Sequence, residues 1–205
     1  MMKKLAGIDY SLTSPAICVW KGTDDNRQFS FDMCDIYYLE TAQRLKRVTP
    51  HEILNLHAGI YPEWETEEQR HDLLSDWAMS KLDGCQVFIE GYAFATSGKS
   101  YVRSVAENSG LLKHKMYKAN QSFTSIPPTV IKKYATDKGN ANKELMCDAF
   151  YEESDTPANL QKILRPKSSK LTNPTTDIID SYWICKYGWE KINNTTPRAI
   201  LQQGS

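Results

Sequence analysis

Cysteine is scarce in this 205-residue sequence, and the few cysteines present do not follow the pattern of a structural site. The five are widely spaced, odd in number and without a C-x-x-C pair: Cys18, Cys34, Cys85, Cys147 and Cys185. A disulfide framework needs paired cysteines, and a structural zinc site needs closely spaced ligands. Both are therefore excluded, and we expect reduced thiols in a reducing compartment such as the cytosol.

Long apolar runs are also missing, which excludes a membrane-embedded protein. No stretch approaches the roughly 20 apolar residues that span a bilayer, and the N-terminal residues MMKKLAGIDY lack the apolar core of a signal peptide. A composition of 40% hydrophobic and 24% charged residues is typical of a globular protein. We expect a single domain over residues 1–192, with an insertion-like, partly helical segment at 41–84 and a flexible tail at 193–205.

An excess of charge of one sign is absent as well, because 25 basic residues balance 25 acidic residues. The two halves of the chain nevertheless differ: residues 1–98 carry a net charge of −6, and residues 99–205 carry a net charge of +6. Proteins that bind nucleic acids neutralise phosphates with Lys and Arg. The basic half could therefore line a groove for a polyanion, while the acidic half faces solvent or surrounds metal ions.

Short apolar segments and helical patterns alternate along the sequence. Strands are predicted over five segments, of which the first three form an antiparallel meander: residues 4–9, 16–20, 29–39, 85–90 and 122–126. Helices are predicted from the capping box at Thr66 to near Gly84, and then over 101–117, 128–134, from Asn140 or Asn142 to Tyr151, and from 174 to about 191. This order predicts an α/β fold, a mixed five-stranded sheet flanked by helices.

Four acidic residues occupy positions where they could meet. Asp9 and Glu90 end apolar strands, and Asp177 and Asp180 lie three residues apart on the opening turns of the last helix, so they share a helix face. Such a cluster can hold two Mg²⁺ ions, which activate a water and stabilise the leaving oxygen of a phosphodiester. Taken singly, each of these acids could have a purely structural role. Acids are common at strand ends, and the helix dipole favours them in the first turn of a helix.

Four segments of the sequence resemble, in order, the motifs of RuvC-type Holliday junction resolvases of the RNase H-like nuclease superfamily, and of their phage or other viral members in particular. The segments are GIDYSLTSPA at 7–16, VFIEGYAF at 87–94, PPTVIKKYATDKGNANKELM at 127–146 and NPTTDIIDSYWI at 173–184. The resemblance implies an RNase H-like fold and a Mg²⁺-dependent crossover junction endodeoxyribonuclease. It also implies a homodimer that cuts branched DNA such as a four-way junction in the cytoplasm of a bacterium or a virus-infected host cell.

The resemblance also assigns roles to individual residues. Asp9, Glu90, Asp177 and Asp180 would bind two Mg²⁺ ions, with Mn²⁺ as a substitute, and hydrolysis would leave 5′-phosphate and 3′-hydroxyl ends. Lys132 and Lys143 would be the lysines near the scissile phosphate, with Lys143 a catalytic residue, and either Tyr92 or Phe94 would be the aromatic that enters the junction. Apart from the resemblance, Lys99 and Arg103 would be phosphate contacts beside the active site of a nuclease. The turn after Asp9 departs from the family, which commonly has Pro-Gly where this chain has Tyr10-Ser11.

Two other functions remain open at this point. The segment AFATSGKS at 93–100 matches a relaxed phosphate-binding loop, which would indicate a nucleotide-binding ATPase. Its first glycine is replaced by Ala93, so we expect no nucleotide cofactor. A protein that binds junctions without cutting them is the second alternative.

Overall fold

A computed structural model describes residues 4–22, 28–45, 54–91, 99–154, 159–165 and 167–195. These residues form six β-strands: β1 (Lys4–Asp9), β2 (Ala16–Trp20), β3 (Cys34–Glu40), β4 (Leu56–Ile60), β5 (Cys85–Glu90) and β6 (Phe123–Ile126). They also form seven α-helices: α1 (Ala42–Leu45), α2 (Glu67–Met79), α3 (Lys99–Lys118), α4 (Pro128–Thr136), α5 (Lys143–Glu153), α6 (Leu160–Leu164) and α7 (Thr175–Thr195). Within these ranges no helix combines the length and the apolar character needed to cross a lipid bilayer.

The six strands form one mixed sheet in the order β4-β3-β2-β1-β5-β6. Strand β2 runs antiparallel to both of its neighbours, β1 and β3. All other pairs, β1 with β5, β5 with β6 and β3 with β4, are parallel. Five strands therefore point the same way, and their carboxyl ends meet at one edge of the sheet, called the carboxyl edge below.

The sequence of β2 explains why helices cover both faces of the sheet. All five of its residues, AICVW, are buried, and successive side chains of a strand point to opposite faces. Cys18 and Trp20 belong to the hydrophobic core under α4, α5, α6 and α7, whereas Ile17 and Val19 belong to the core under α2 and α3. The result is a three-layer α/β/α arrangement, so the predicted fold class is confirmed.

The sheet nevertheless has one strand more than the five predicted. Strand β4 lies at the outer edge of the sheet, and all of its side chains are exposed or half-buried. Its sequence LHAGI therefore lacks the apolar alternation that marks a strand with a buried face. Asn55 sets its position, because its side-chain amide donates hydrogen bonds to the Phe31 and Cys34 carbonyls at 2.9 and 3.0 Å.

Strand β3 begins at Cys34, five residues later than predicted, although the antiparallel meander itself is confirmed. The preceding residues Phe31–Met33 form a 3-10 turn. Phe29 and Phe31 turn inward there and pack edge-on or tilted against Tyr182 of α7. Burial of these aromatic rings outweighs extension of the strand.

Several helix boundaries also differ from the predictions. The Thr66 cap is confirmed, because its hydroxyl accepts a hydrogen bond from the Gln69 amide at 3.2 Å, but α2 ends at Met79 instead of near Gly84. Asn142, not Asn140, caps α5. Helix α7 continues to Thr195, and the short helices α1 and α6 were not predicted.

Gly7 allows α7 to lie directly on β1, and its substitution should be among the most destabilising in the core. A Cβ at this position would overlap the backbone of Ser181 and Cys185, with the Cys185 Cα only 2.6 Å away. We expect Gly7→Ala to lower the free energy of unfolding by about 3 kcal/mol, as overpacking a rigid core does. Urea denaturation would measure this. Gly110→Ala on α3 is the matched control, because a Cβ there meets nothing within 4 Å; equal stability of the two variants would contradict the prediction.

Candidate active site

Two acidic residues end neighbouring parallel strands at the carboxyl edge. Asp9 is the last residue of β1, and Glu90 is the last residue of β5. The register of the two strands pairs Ile8 with Ile89, so the residues that follow these two lie next to each other. The structure thus brings together the two strand-end acids that the sequence singles out.

Helix α7 brings two more acidic residues to the same edge. Asp177 lies in its first turn and Asp180 one turn later, on the helix that packs across β1 and β2. Asp177 is only 5% exposed and accepts a hydrogen bond from the hydroxyl of Ser14, in the turn between β1 and β2. The Thr176 Oγ1 atom lies 3.2 Å from Asp177 Oδ1.

Burial raises the pKa of all four carboxyls, and repulsion by neighbouring acids adds to the shift for Asp9, Glu90 and Asp180. The pKa of Asp9 is well above its ordinary value, first because of burial and then because of the charges of Asp177, Glu90 and Asp180. Burial raises the pKa of Glu90 to about 7, with Asp177 adding to the effect. Burial, followed by the charges of Glu90 and Asp177, raises the pKa of Asp180 to about 8. The charge of Asp177 therefore disfavours the ionisation of the other three acids.

The pKa of Asp177 is also raised by burial, although several polar neighbours oppose the shift. The largest opposing effect is the hydrogen bond from Ser14, followed by the positive charge of Lys143 and by hydrogen bonds with Thr176 and Asp9. Of the four acids, Asp177 thus has the most hydrogen bonds and charges that favour its ionised form. A fixed, hydrogen-bonded carboxylate is suited to holding a cation in one place.

Two lysines supply positive charge to this cluster. Lys143 is the first residue of α5, and its Nζ donates hydrogen bonds to Asn173 Oδ1 and Thr176 Oγ1, both at 3.3 Å. Its charge lowers the pKa values of Asp9 and Asp180, against the larger effect of burial. Lys132 on α4 acts in the same direction on Glu90 and Asp180.

The donor atoms of the cluster fit a hard divalent cation. Carboxylate oxygens are the ligands that Mg²⁺ prefers, and a nearby cation would relieve the repulsion that raises these pKa values. In the described ranges, no three Asp, Glu, His or Cys side chains are arranged around one point as a metal site. The fit to a cation therefore rests on the chemistry of these donor atoms and not on their arrangement around one point.

Comparison with known proteins identifies the fold. No family model matches the sequence, and no curated protein matches it either. Thermus thermophilus RuvC in complex with Holliday junction substrate has a TM-score of 0.56 at 14% identity, over 93% of this chain and 97% of that chain. The fold is the RuvC fold. A second T. thermophilus RuvC structure gives a TM-score of 0.52 at 14% identity, over 94% and 97% of the two chains.

The yeast mitochondrial Holliday junction resolvase Ydc2 shares the RuvC fold with this chain as well. Its TM-score is 0.51 at 13% identity, over 91% of this chain and 78% of Ydc2. The comparison confirms the predicted RNase H-like fold class. The roles of individual residues rest on the geometry of this chain, because identities this low establish the fold alone.

The remaining predicted DNA contacts are Tyr92, Phe94, Lys99 and Arg103. Tyr92 and Phe94 lie outside the described residues, as does most of the 93–100 segment that resembles a phosphate-binding loop. Lys99 begins α3, and its side chain is not described. Arg103 is exposed on the same helix of this RuvC-like fold and pairs with Glu107 at 2.9 Å, so part of its charge is already neutralised.

Sequence reasoning missed three residues that contact the four acids or Lys143: Ser14, Asn173 and Thr176. All three lie within the segments that resemble RuvC-type motifs, and each is a polar residue within a few positions of a predicted site residue. Their closeness in sequence to predicted site residues was the one signal that could have identified them. Their partners could not be predicted, because Ser14 and Asp177, for example, are 163 residues apart in the chain.

Proposed function

We propose that this chain is a divalent-metal-dependent DNA endonuclease that resolves four-way junctions and acts on related branched DNA. The observation that carries the proposal is the cluster of four acids with raised pKa values, faced by Lys132 and Lys143, at the carboxyl edge. The cluster lies in a fold shared with RuvC, which has been solved with a Holliday junction substrate.

In this proposal Asp9, Glu90, Asp177 and Asp180 hold two Mg²⁺ ions, for which Mn²⁺ can substitute. When bound, such ions supply Lewis acidity at the phosphate and lower the pKa of an attached water. Lys143 donates hydrogen bonds to the oxygens of the scissile phosphate, where negative charge develops. Hydrolysis adds one water across the bond between phosphorus and the 3′ oxygen, which leaves a 5′-phosphate and a 3′-hydroxyl.

A four-way junction requires two cuts at symmetric positions. One active site makes one cut, so we propose that the chain acts as a homodimer whose two-fold symmetry matches that of the DNA. Lys132, Lys99 and Arg103 would contact phosphates from α4 and α3, and Tyr92 or Phe94 would stack on bases near the crossover. The net charge of +6 on residues 99–205 supports a phosphate-binding surface in this half of the chain.

Incubation of a synthetic four-way junction with the wild-type protein and Mg²⁺ tests the proposal. We expect paired symmetric nicks in the junction, no cuts in a linear duplex of the same sequence, and products that DNA ligase reseals without end treatment. Replacing Mg²⁺ with EDTA should abolish cleavage. Tight junction binding without cleavage in either Mg²⁺ or Mn²⁺ would contradict the proposal and favour a non-catalytic junction-binding protein.

A further inference from the structure

Glu40 is a buried acid that does not belong to the carboxylate cluster, although it lies at the same edge of the sheet. It is the last residue of β3 and is only 4% exposed. Its carboxylate forms an ion pair with Arg165 and accepts a hydrogen bond from the Thr41 amide at 2.9 Å. Arg44, which is mostly exposed, lies 3.5 Å away. A buried charge with this many partners is fixed in position.

Arg165 uses all three of its guanidinium nitrogens and joins three separate parts of the chain. Its Nη2 pairs with Glu40, its Nη1 donates to the Leu164 carbonyl at 2.8 Å, and its Nε donates to the Asn173 carbonyl at 3.0 Å. The side chain is 15% exposed. Because the guanidinium is a rigid planar fork, fixing it on Glu40 also fixes the backbone of Asn173.

Asn173 in turn holds the ammonium group of Lys143. Its Oδ1 atom accepts hydrogen bonds from Lys143 Nζ at 3.3 Å and from Thr176 Oγ1 at 2.8 Å. Both bonds to the Lys143 ammonium are long, 3.3 Å each, and a lysine side chain loses considerable rotamer freedom when it is fixed. The position of this lysine therefore depends on how firmly its acceptors are held.

We propose that Arg165, anchored by Glu40, is a positioning residue that sets the location of the Lys143 ammonium relative to the four acids. The expected effect on DNA cleavage rests on the proposed nuclease function, whereas the expected effect on the position of Lys143 does not. The connection runs from Glu40 through Arg165 and the Asn173 backbone to the Asn173 side chain and Lys143. Arg165 itself touches neither the acids nor the reacting phosphate.

Arg165→Lys is the decisive variant, because lysine keeps the charge but cannot reach Glu40 and the Asn173 carbonyl with one planar group. We expect the single-turnover rate of junction cleavage to fall about 10- to 100-fold, as misplacement of a catalytic group by about 1 Å does. Junction affinity should stay within about threefold, since the charge is kept. Asp35→Asn is the matched control: Asp35 lies on the same strand and pairs with Lys21 at 2.8 Å, near the other end of β3.

A second readout does not depend on nuclease activity. Brief acetylation with an N-hydroxysuccinimide ester, followed by mass spectrometry, measures the reactivity of each lysine. In Arg165→Lys we expect Lys143 to react several times faster than in the wild type, with exposed Lys138 and Lys162 unchanged. General loosening of the fold would raise all three rates together and would contradict a positioning role.

Asn173→Ala keeps the inference testable if Arg165→Lys does not fold. This variant removes the Oδ1 acceptor of Lys143 and leaves the backbone carbonyl that Arg165 contacts. It should raise Lys143 acetylation to the same extent. If the wild type cuts no junction, the proposed function fails, and the acetylation pattern still decides the positioning role. Unchanged Lys143 acetylation in both variants overturns the inference, whatever the cleavage rates.

Discussion

Asp180→Asn should abolish junction cleavage while leaving junction binding intact. The substitution is nearly isosteric, so it removes one negative charge and one oxygen of the proposed metal site without creating a cavity. Loss of a single preorganised electrostatic group at an active site costs about 10²- to 10³-fold in rate. We expect at least the upper value here, because the charges of both Glu90 and Asp177 act on Asp180. Single-turnover cleavage in Mg²⁺ measures the rate.

Binding of the variant is expected to be as tight as that of the wild type, or tighter. DNA is a polyanion, and removing a carboxylate from the proposed DNA-binding surface reduces repulsion. Asp148→Asn is the matched control, since Asp148 is an exposed acid on α5 and its change should leave both cleavage and binding unaltered. Cleavage at the wild-type rate by Asp180→Asn would show that this acid has no part in the reaction.

The strands that end in Asp9 and Glu90 could be predicted because each contains a short apolar run with polar residues on both sides. The predicted bounds of β1 and β5 agree with the structure, and both strands end in the acid that the sequence singled out. The shared helix face of Asp177 and Asp180 could also be predicted, because a helix places residues three positions apart on one face. Local patterns therefore sufficed for the elements that carry the four acids.

The edge of the sheet and the contacts that hold Lys143 could not be predicted in the same way. Strand β4 has no fully buried residue, so its sequence carries no periodic signal. Glu40 and Arg165 are 125 residues apart, and neither lies in a recognisable motif. Pairing between distant charged side chains depends on the three-dimensional arrangement of β3, α6 and α7, which a sequence pattern does not specify.

Without metal, Asp180→Asn should also be more stable than the wild type near pH 8, and the difference should disappear toward pH 4. In the folded protein the pKa of Asp180 is raised to about 8, whereas its ordinary value is 3.8. Between these values the folded state binds more protons than the unfolded state. Wild-type stability therefore falls as the pH rises through this window. The stability is fully present below the unfolded-state pKa, and its loss is complete above the folded-state pKa.

The asparagine side chain does not titrate, so the variant lacks this loss of stability. Its substitution also removes a charge that raises the pKa of Asp9. We expect an advantage of at least about 1.4 kcal/mol near pH 8, which corresponds to a single unit of pKa shift. Thermal unfolding in EDTA between pH 4 and pH 8.5, followed by circular dichroism, measures the difference.

Addition of Mg²⁺ should reverse the order of stability at pH 8. A cation that binds only the folded wild type stabilises it by about 2.7 kcal/mol at 100 times its dissociation constant, and it favours the ionised carboxylates that repel one another in its absence. Asp180→Asn lacks one of the four proposed ligands and should gain less stability from Mg²⁺. A stability difference that is the same at pH 4 and pH 8, with and without Mg²⁺, would mean that the folded protein neither disfavours the ionisation of Asp180 nor binds a cation through this residue.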